Sequence, residues 1–86
     1  MDPSAITRFL DGVMASPSVS GAILINAQDG LCLGATGKAR EDDAPQLLVA
    51  SRKACDQDGV GCVQIRGGKV SLQLGEKVLV GVFKDV

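Results

Sequence analysis

The sequence contains no histidine, tyrosine or tryptophan, and its aromatic residues are two phenylalanines. Histidine is the commonest general base near neutral pH and a frequent metal ligand, so Ser-His and Cys-His nucleophile pairs are excluded. Stacking platforms for nucleic-acid bases are also missing. Nine basic and 10 acidic residues give a net charge of −1, which favours no polyanionic partner. We therefore expect no catalytic residue, no cofactor, no metal and no nucleic-acid partner.

Long hydrophobic runs are absent too. No apolar run approaches the ~20 residues of a membrane-spanning helix, and the first residues lack the basic and apolar regions of a secretion signal. Asp2 stands where myristoylation needs glycine. We expect a cytoplasmic chain without direct membrane insertion.

The three cysteines, Cys32, Cys55 and Cys62, form no C-x-x-C motif, and their number is odd. This pattern favours a reducing compartment over a disulfide framework. Each lies in an apolar run, where a free thiol acts as a small hydrophobic side chain. We interpret them as core residues rather than ligands.

The most regular sequence pattern lies in the last third of the chain, residues 60–84. Gly67-Gly68 and Gly75-Glu76 separate three runs rich in Val, Leu and Ile, as in antiparallel hairpins. The last run is apolar on both faces, which is typical of a central strand covered on both sides. The first run, 60–66, is then expected at an edge.

The first half predicts a helix, two strands and a second helix. Ile6, Phe9, Leu10, Val13 and Met14 form one apolar stripe, ended by Pro17. The predicted strands cover residues 19–25 and 31–36, and Leu31, Leu33 and Ala35 are expected to share a face. The second helix is expected to begin at Asp43 as its cap, with Gln46 in capping-box spacing.

The second helix carries a wide apolar arc of mostly small residues: Ala44, Leu47, Leu48, Ala50, Ser51, Ala54 and Cys55. The arc is wider than the ~100° that one covering contact needs. Either the helix touches its own sheet and a partner, or it is simply well buried.

These elements predict one α+β domain over residues 1–86, with element order α-β-β-α-β-β-β. The two strands that look central should lie side by side, which gives a five-stranded antiparallel sheet of order 2-1-5-4-3 with helices on its faces.

The segment Gly34-Ala-Thr-Gly37-Lys38 superficially matches a phosphate-binding loop. That motif needs glycine five residues before the Gly-Lys pair and a hydroxyl residue after it. Cys32 and Ala39 stand there instead, so the glycines are better explained by strand and turn geometry.

Three groups of residues resemble the roadblock family of small adaptor domains. They are Met14-Ala-Ser-Pro17, then Val19-x-Gly21, then Gly30-Leu-x-Leu-Gly34-x-x-Gly37. The resemblance covers nearly the whole chain and implies the layered roadblock fold. It implies a non-catalytic scaffold that pairs, as a heterodimer or with itself, through the third strand and second helix.

In the Ragulator complex, roadblock heterodimers dock Rag GTPases on the lysosomal or late endosomal surface and support signalling to the target of rapamycin kinase. A lipidated partner provides the anchor there. The resemblance therefore implies recruitment to that membrane through a partner subunit. Its alternatives are a dynein light chain, against which the missing carboxyl-terminal helix and basic ends weigh, and a regulator of a small GTPase.

The predicted partner interface joins the edge strand to the arc of the second helix. An edge strand leaves unpaired N–H and C=O groups that another chain can bond. Its expected residues are Leu47, Leu48, Ser51, Ala54, Gly61, Cys62, Val63, Gln64 and Ile65.

Overall fold

A computed structural model of the chain describes residues 3–65 and 68–84. These residues form two α-helices, a short 3-10 helix and five strands. In chain order they are α1 (Pro3–Met14), β1 (Val19–Asn26), β2 (Cys32–Gly37), the 3-10 helix Glu41–Asp43, α2 (Ala44–Ala54), β3 (Val60–Ile65), β4 (Gly68–Leu74) and β5 (Val78–Lys84). The predicted element order is confirmed. The predicted first hairpin turn and the end of its first strand fall on Arg66 and Gly67, which lie outside the described residues.

The strands form one antiparallel sheet of order β2-β1-β5-β4-β3, as predicted. β5 is central because it pairs with β1 on one side and β4 on the other. The continuous run Ala22–Ile25 of β1 is buried, as expected for a strand with neighbours on both sides. β2 and β3 are left as the two edges.

The main core lies between α2 and one face of the sheet. β1 contributes Ile23 and Ile25, and α2 contributes Leu47, which are all inaccessible to solvent. The rest of this cluster comes from β4, β5 and the residues around the start of α2: Ala39, Ala44, Leu48, Val70, Leu72, Leu79 and Phe83. Burying each large side chain stabilises the fold by about 1.5–3 kcal/mol. This packing fixes α2 beside β3.

The other face is covered by α1, which packs on β1 and β2. A Cβ atom added at Gly34 would lie 2.8 Å from Ile6 Cγ2 and 3.0 Å from Leu10 Cδ1. Glycine therefore allows the helix to approach the strand closely. On this face α1 covers β1 and β2 but not the central strand β5. Val78, Val80 and Val82 of β5 are therefore only half-buried.

The predicted apolar stripe of α1 is only partly buried. Leu10 is buried, Ile6, Val13 and Met14 are half-buried, and Phe9 is 43% exposed. The expectation that Phe9 belongs to the covered stripe is wrong. Close docking over Gly34 uses Ile6 and Leu10, which leaves Phe9 at the margin of the contact.

β2 does not alternate as predicted. Its register with β1 shifts between Leu24 and Ile25, so that Leu24 pairs with Gly34 and Ile25 with Cys32. Cys32 and Ala35 consequently pack against the main core, whereas Leu31 precedes the strand and is 63% exposed. A bulge adds one residue to the strand, so the side chains beyond it point to the opposite face from the one that strict alternation predicts.

The start of α2 also differs from the prediction. Asp43 is helical and makes no side-chain cap to α2. Its carboxylate instead accepts a hydrogen bond from the Arg40 N–H (3.1 Å), while the Asp43 N–H donates to the Arg40 carbonyl oxygen (3.0 Å). The acidic residues form a 3-10 turn ahead of Pro45, and α2 ends at Ala54.

Candidate interaction edge

β3 is an edge strand with a regular register. It pairs with β4 from Val60↔Gln73 to Ile65↔Gly68, and these six pairs run without a shift. Its other side faces no strand within the described part of the sheet. A straight, regular edge is the form best suited to receive another strand.

Hydrogen bonds at the start of β3 show which residues face outward. The Leu74 N–H donates to the Gly59 carbonyl oxygen (2.7 Å), so this pair is bonded across the ladder. Because bonded and nonbonded pairs alternate in antiparallel sheets, Gly61, Val63 and Ile65 also point their backbone groups at β4. The backbone groups of Val60, Cys62 and Gln64 therefore point to the free side.

The outward backbone groups of Val60, the first of these residues, are hydrogen-bonded to Asp56. Its carboxylate accepts a hydrogen bond from the Val60 N–H (3.1 Å), and its own N–H donates to the Val60 carbonyl oxygen (3.0 Å). The same carboxylate oxygen accepts a bond from the Asp58 N–H (2.9 Å). Among the described residues, no backbone bond reaches the outward groups of Cys62 and Gln64. The open part of the edge therefore begins at Cys62.

The end of α2 lies directly over this edge. A Cβ atom added at Gly61 would lie 2.6 Å from the Ala54 carbonyl oxygen and 2.8 Å from the Cys55 nitrogen. Ala50 and Ala54 are half-buried on the helix. Edge and helix thus form one continuous surface with small side chains on its helical part.

The predicted interface residues divide into two groups. Leu47 and Ser51 are fully buried and Leu48 is 7% exposed, so these three belong to the core of the chain itself. The Ser51 hydroxyl donates to the Leu48 carbonyl oxygen (2.7 Å). Accessible members are brought together at the edge, where Cys62 and Gln64 are exposed and Ala54, Gly61, Val63 and Ile65 are half-buried.

Sequence reasoning missed Asp56 as the residue that limits the edge. The signal was present, because Asp56-Gln-Asp-Gly59 is a turn sequence in which aspartate bonds to backbone N–H groups ahead of it. What the sequence does not show is that one of these groups belongs to the outward side of β3.

Gly34 to Gly37 belong to β2, and Lys38 follows in a turn. The Lys38 N–H donates to the Ser20 carbonyl oxygen (3.0 Å), and the Ala39 N–H donates to the Thr36 carbonyl oxygen (3.3 Å). Gly37 has φ +64°, as a turn requires. These amides are hydrogen-bonded to carbonyl oxygens within the chain, whereas a phosphate loop needs its amides directed at the ligand.

The cysteines differ in environment. Burial raises the pKa of the Cys32 thiol, partly offset by a backbone hydrogen bond at Gly34. Burial likewise raises the pKa of the Cys55 thiol, partly offset at Leu74. Cys62 is exposed on the edge strand. Within residues 3–65 and 68–84, no three acidic or thiol side chains are grouped to hold a metal ion, and no helix is long and apolar enough to cross a membrane.

No family model matches the sequence, and no curated protein matches it. Solved structures do. The roadblock/LC7 domain from Streptomyces avermitilis is similar with a TM-score of 0.65 and 14% identity, over 91% of this chain and 76% of that one. MglB in a tetrameric arrangement is similar with a TM-score of 0.76 and 14% identity, over 99% of this chain and 74% of that one. Together with the sheet order and element order, these similarities show that the chain has the roadblock/LC7 fold.

Proposed function

We propose that this chain is a non-catalytic adaptor subunit that pairs with another roadblock-type chain, or with a second copy of itself, through β3 and α2. The observation that supports this is the regular open edge at Cys62 and Gln64, which lies beside the half-buried Ala54 of α2. Pairing there would join two sheets into one and cover the helix ends. Such a contact approaches the ~1,600 Å² of a standard interface only if strand and helix both take part.

Within this role, the sequence resembles the Ragulator subunit also called hepatitis B virus X-interacting protein. We propose that the chain serves a Ragulator-like complex, which recruits Rag GTPases to the lysosomal surface for amino-acid signalling to the target of rapamycin kinase. A lipidated partner subunit would hold the complex at the membrane. The resemblance in Met14–Pro17 and Gly30–Gly37 supports this assignment.

Co-purification from native cells tests the proposal. Tagged wild-type chain is expected to recover other roadblock-type subunits and Rag-type GTPases. Gln64→Pro removes an outward N–H and should lose these partners, whereas the matched control Gln64→Ala keeps that N–H and should retain them. Equal recovery by both variants would contradict pairing through β3.

The same experiment separates the alternative roles. Recovery of dynein chains would favour a dynein light chain, and recovery of a small GTPase without other roadblock subunits would favour a direct GTPase regulator. A nucleotide-binding role is tested by thermal melting with GTP or ATP and Mg²⁺, since a ligand that binds only the folded state raises Tm. We expect no rise.

A further inference from the structure

The sheet face that carries α1 exposes a row of three valines on the central strand. Leu79 and Phe83 of β5 pack in the main core, so the alternate residues Val78, Val80 and Val82 point to the α1 face. All three are half-buried, since α1 packs on β1 and β2. A central strand that is apolar on both faces is typical of a sheet covered on both sides. The valine row is therefore apolar surface that the single chain leaves partly open.

The flank of α1 that faces this row is also apolar. Leu10 is buried against the sheet, and Met14, about 40° further around the helix, lies against Gly37 of β2. Phe9 lies about 100° from Leu10 in the opposite sense, and Val13 about 60° in that sense, so both lie on the β5 side of α1. Phe9 is exposed and Val13 is half-buried. The helix thus provides one apolar wall beside the valine row.

The uncovered part of this face has the width of one helix. Strands lie about 4.8 Å apart, so the three strands from β5 to β3 span about 10 Å, whereas a helix with its side chains is about 10–12 Å across. On β4, polar Ser71 and Gln73 stand opposite Val82 and Val80. A helix that fits here is therefore amphipathic, with an apolar stripe toward α1 and β5 and a polar side toward β4.

One end of the same face carries two lysines. Lys84 follows two residues after Val82 on β5, and Lys69 lies directly opposite it on β4, with both side chains exposed. Like charges at directly opposed positions destabilise a sheet. The flanking strands provide no carboxylate there, since Gln64 is the other neighbour of Lys69 and Val19 is the other neighbour of Lys84. An acidic group from a partner would offset this repulsion.

We propose that this face binds an amphipathic helix of a partner protein. The apolar stripe of that helix covers the valine row beside α1, and acidic residues at one of its ends meet Lys69 and Lys84. The site lies on the sheet face opposite α2 and uses no backbone group of the β3 edge. It therefore goes beyond the proposed function and does not depend on it.

A helical probe peptide with a leucine stripe and glutamates in its last turn tests the proposal. NMR titration should shift the methyl signals of Val78, Val80 and Val82, and a probe with lysines in place of the glutamates should bind about tenfold more weakly. The charge-swapped variant Lys69→Glu, Lys84→Glu should reverse that preference. If this variant loses its native circular dichroism spectrum, Lys84→Gln serves instead and should reduce the difference between the probes.

A matched pair of substitutions tests the apolar part of the site. Val80→Thr should weaken binding of the glutamate probe severalfold, because it replaces a methyl group of the valine row with a hydroxyl. The same change at the exposed Val49 of α2 should leave binding unchanged. Equal weakening by both variants would contradict a site at the valine row.

Other occupants give different results. Equal affinity for the two probes, or no shift at the valine row with either, would overturn the proposal. Shifts at the valine row that grow with protein concentration in the absence of any probe would overturn it in favour of a second copy. The same shifts with vesicles of phosphatidylcholine and phosphatidylserine, and none with the peptides, would overturn it in favour of a membrane surface.

Discussion

The two edges of the sheet differ in regularity, since β2 is bulged and β3 is not. β2 is bulged opposite Leu24 and Ile25, ends in a turn at Gly37, and lies beneath α1. β3 keeps its register through all six pairs. Since a bulge discourages strand addition, the regular register of β3 makes it the edge that more readily accepts another strand.

Each edge also carries a glycine beneath a helix, and the two contacts differ in kind. Over Gly34 the nearest atoms are the side-chain ends Ile6 Cγ2 and Leu10 Cδ1. Over Gly61 the nearest atoms are backbone atoms of Ala54 and Cys55. Side-chain ends can move aside, whereas the helix backbone is held by its own hydrogen bonds. The position of α2 over β3 is therefore the more rigid of the two.

The largest effect is expected from proline at a β3 residue whose backbone N–H faces β4. Val63→Pro removes an N–H that faces β4 and should prevent folding, with loss of the native circular dichroism spectrum. Gln64→Pro, one residue later, removes an outward N–H and should keep that spectrum. If both variants fold, or both fail, the assignment of inward and outward residues is wrong.

Next come the contacts of α1 over the β2 side. Leu10→Ala should cost about 2–5 kcal/mol because Leu10 is buried. Phe9→Ala should cost well below the about 3–5 kcal/mol of a buried phenylalanine, because Phe9 is 43% exposed. Chemical denaturation measures both free energies of unfolding. A larger loss at Phe9 than at Leu10 would reverse the orientation of α1.

The two glycines give the third comparison. Gly61→Ala should destabilise the fold by about 3 kcal/mol, the upper end of the usual range for overpacking, since backbone must move. Gly34→Ala should cost about 1 kcal/mol, since Ile6 and Leu10 can adjust. Urea denaturation of the two variants side by side provides the measurement, and equal costs would contradict a more rigid α2.

The smallest effect concerns the thiols. Cys62 is exposed, whereas burial raises the pKa of Cys32 and of Cys55, which lowers their reactive thiolate fraction at a given pH. Iodoacetamide at pH 8 should therefore modify Cys62 first, as mass spectrometry of the peptides can determine. Faster modification of Cys32 would mean that the β2 side opens more readily than the β3 edge.

Most of the fold could be predicted because apolar runs and glycine breaks constrain it locally. The pattern from 60 to 84 predicts the meander, and the two-sided apolar runs of β1 and β5 predict their central places. β2 could not be predicted in detail, because its bulge depends on pairing with β1 rather than on its own residues. The margin position of Phe9 depends on Gly34, which is distant in sequence.

The candidate interface was predictable as an edge but not as a set of contacts. Alternation along a strand does not tell which N–H groups face the neighbouring strand, and that assignment needs the Leu74 to Gly59 bond. The apolar arc predicted for the second helix also contains both core residues and accessible residues. Leu47 and Ser51 face the core and Ala54 remains accessible, since the helix rotation is set by packing on Ile23 and Val70.

Amide hydrogen exchange at the two edges, followed by NMR in dilute and concentrated protein, tests the account most directly. The Lys38 to Ser20 bond and the β1–β2 register place the Ala35 N–H on the outer side of β2, which makes it the matched control for Cys62 and Gln64. In the concentrated sample, exchange at Cys62 and Gln64 should slow by about tenfold or more, while Ala35 keeps its rate. Slowing at Ala35 instead, or unchanged rates at Cys62 and Gln64 in a sample that sedimentation shows to be dimeric, would contradict pairing through β3.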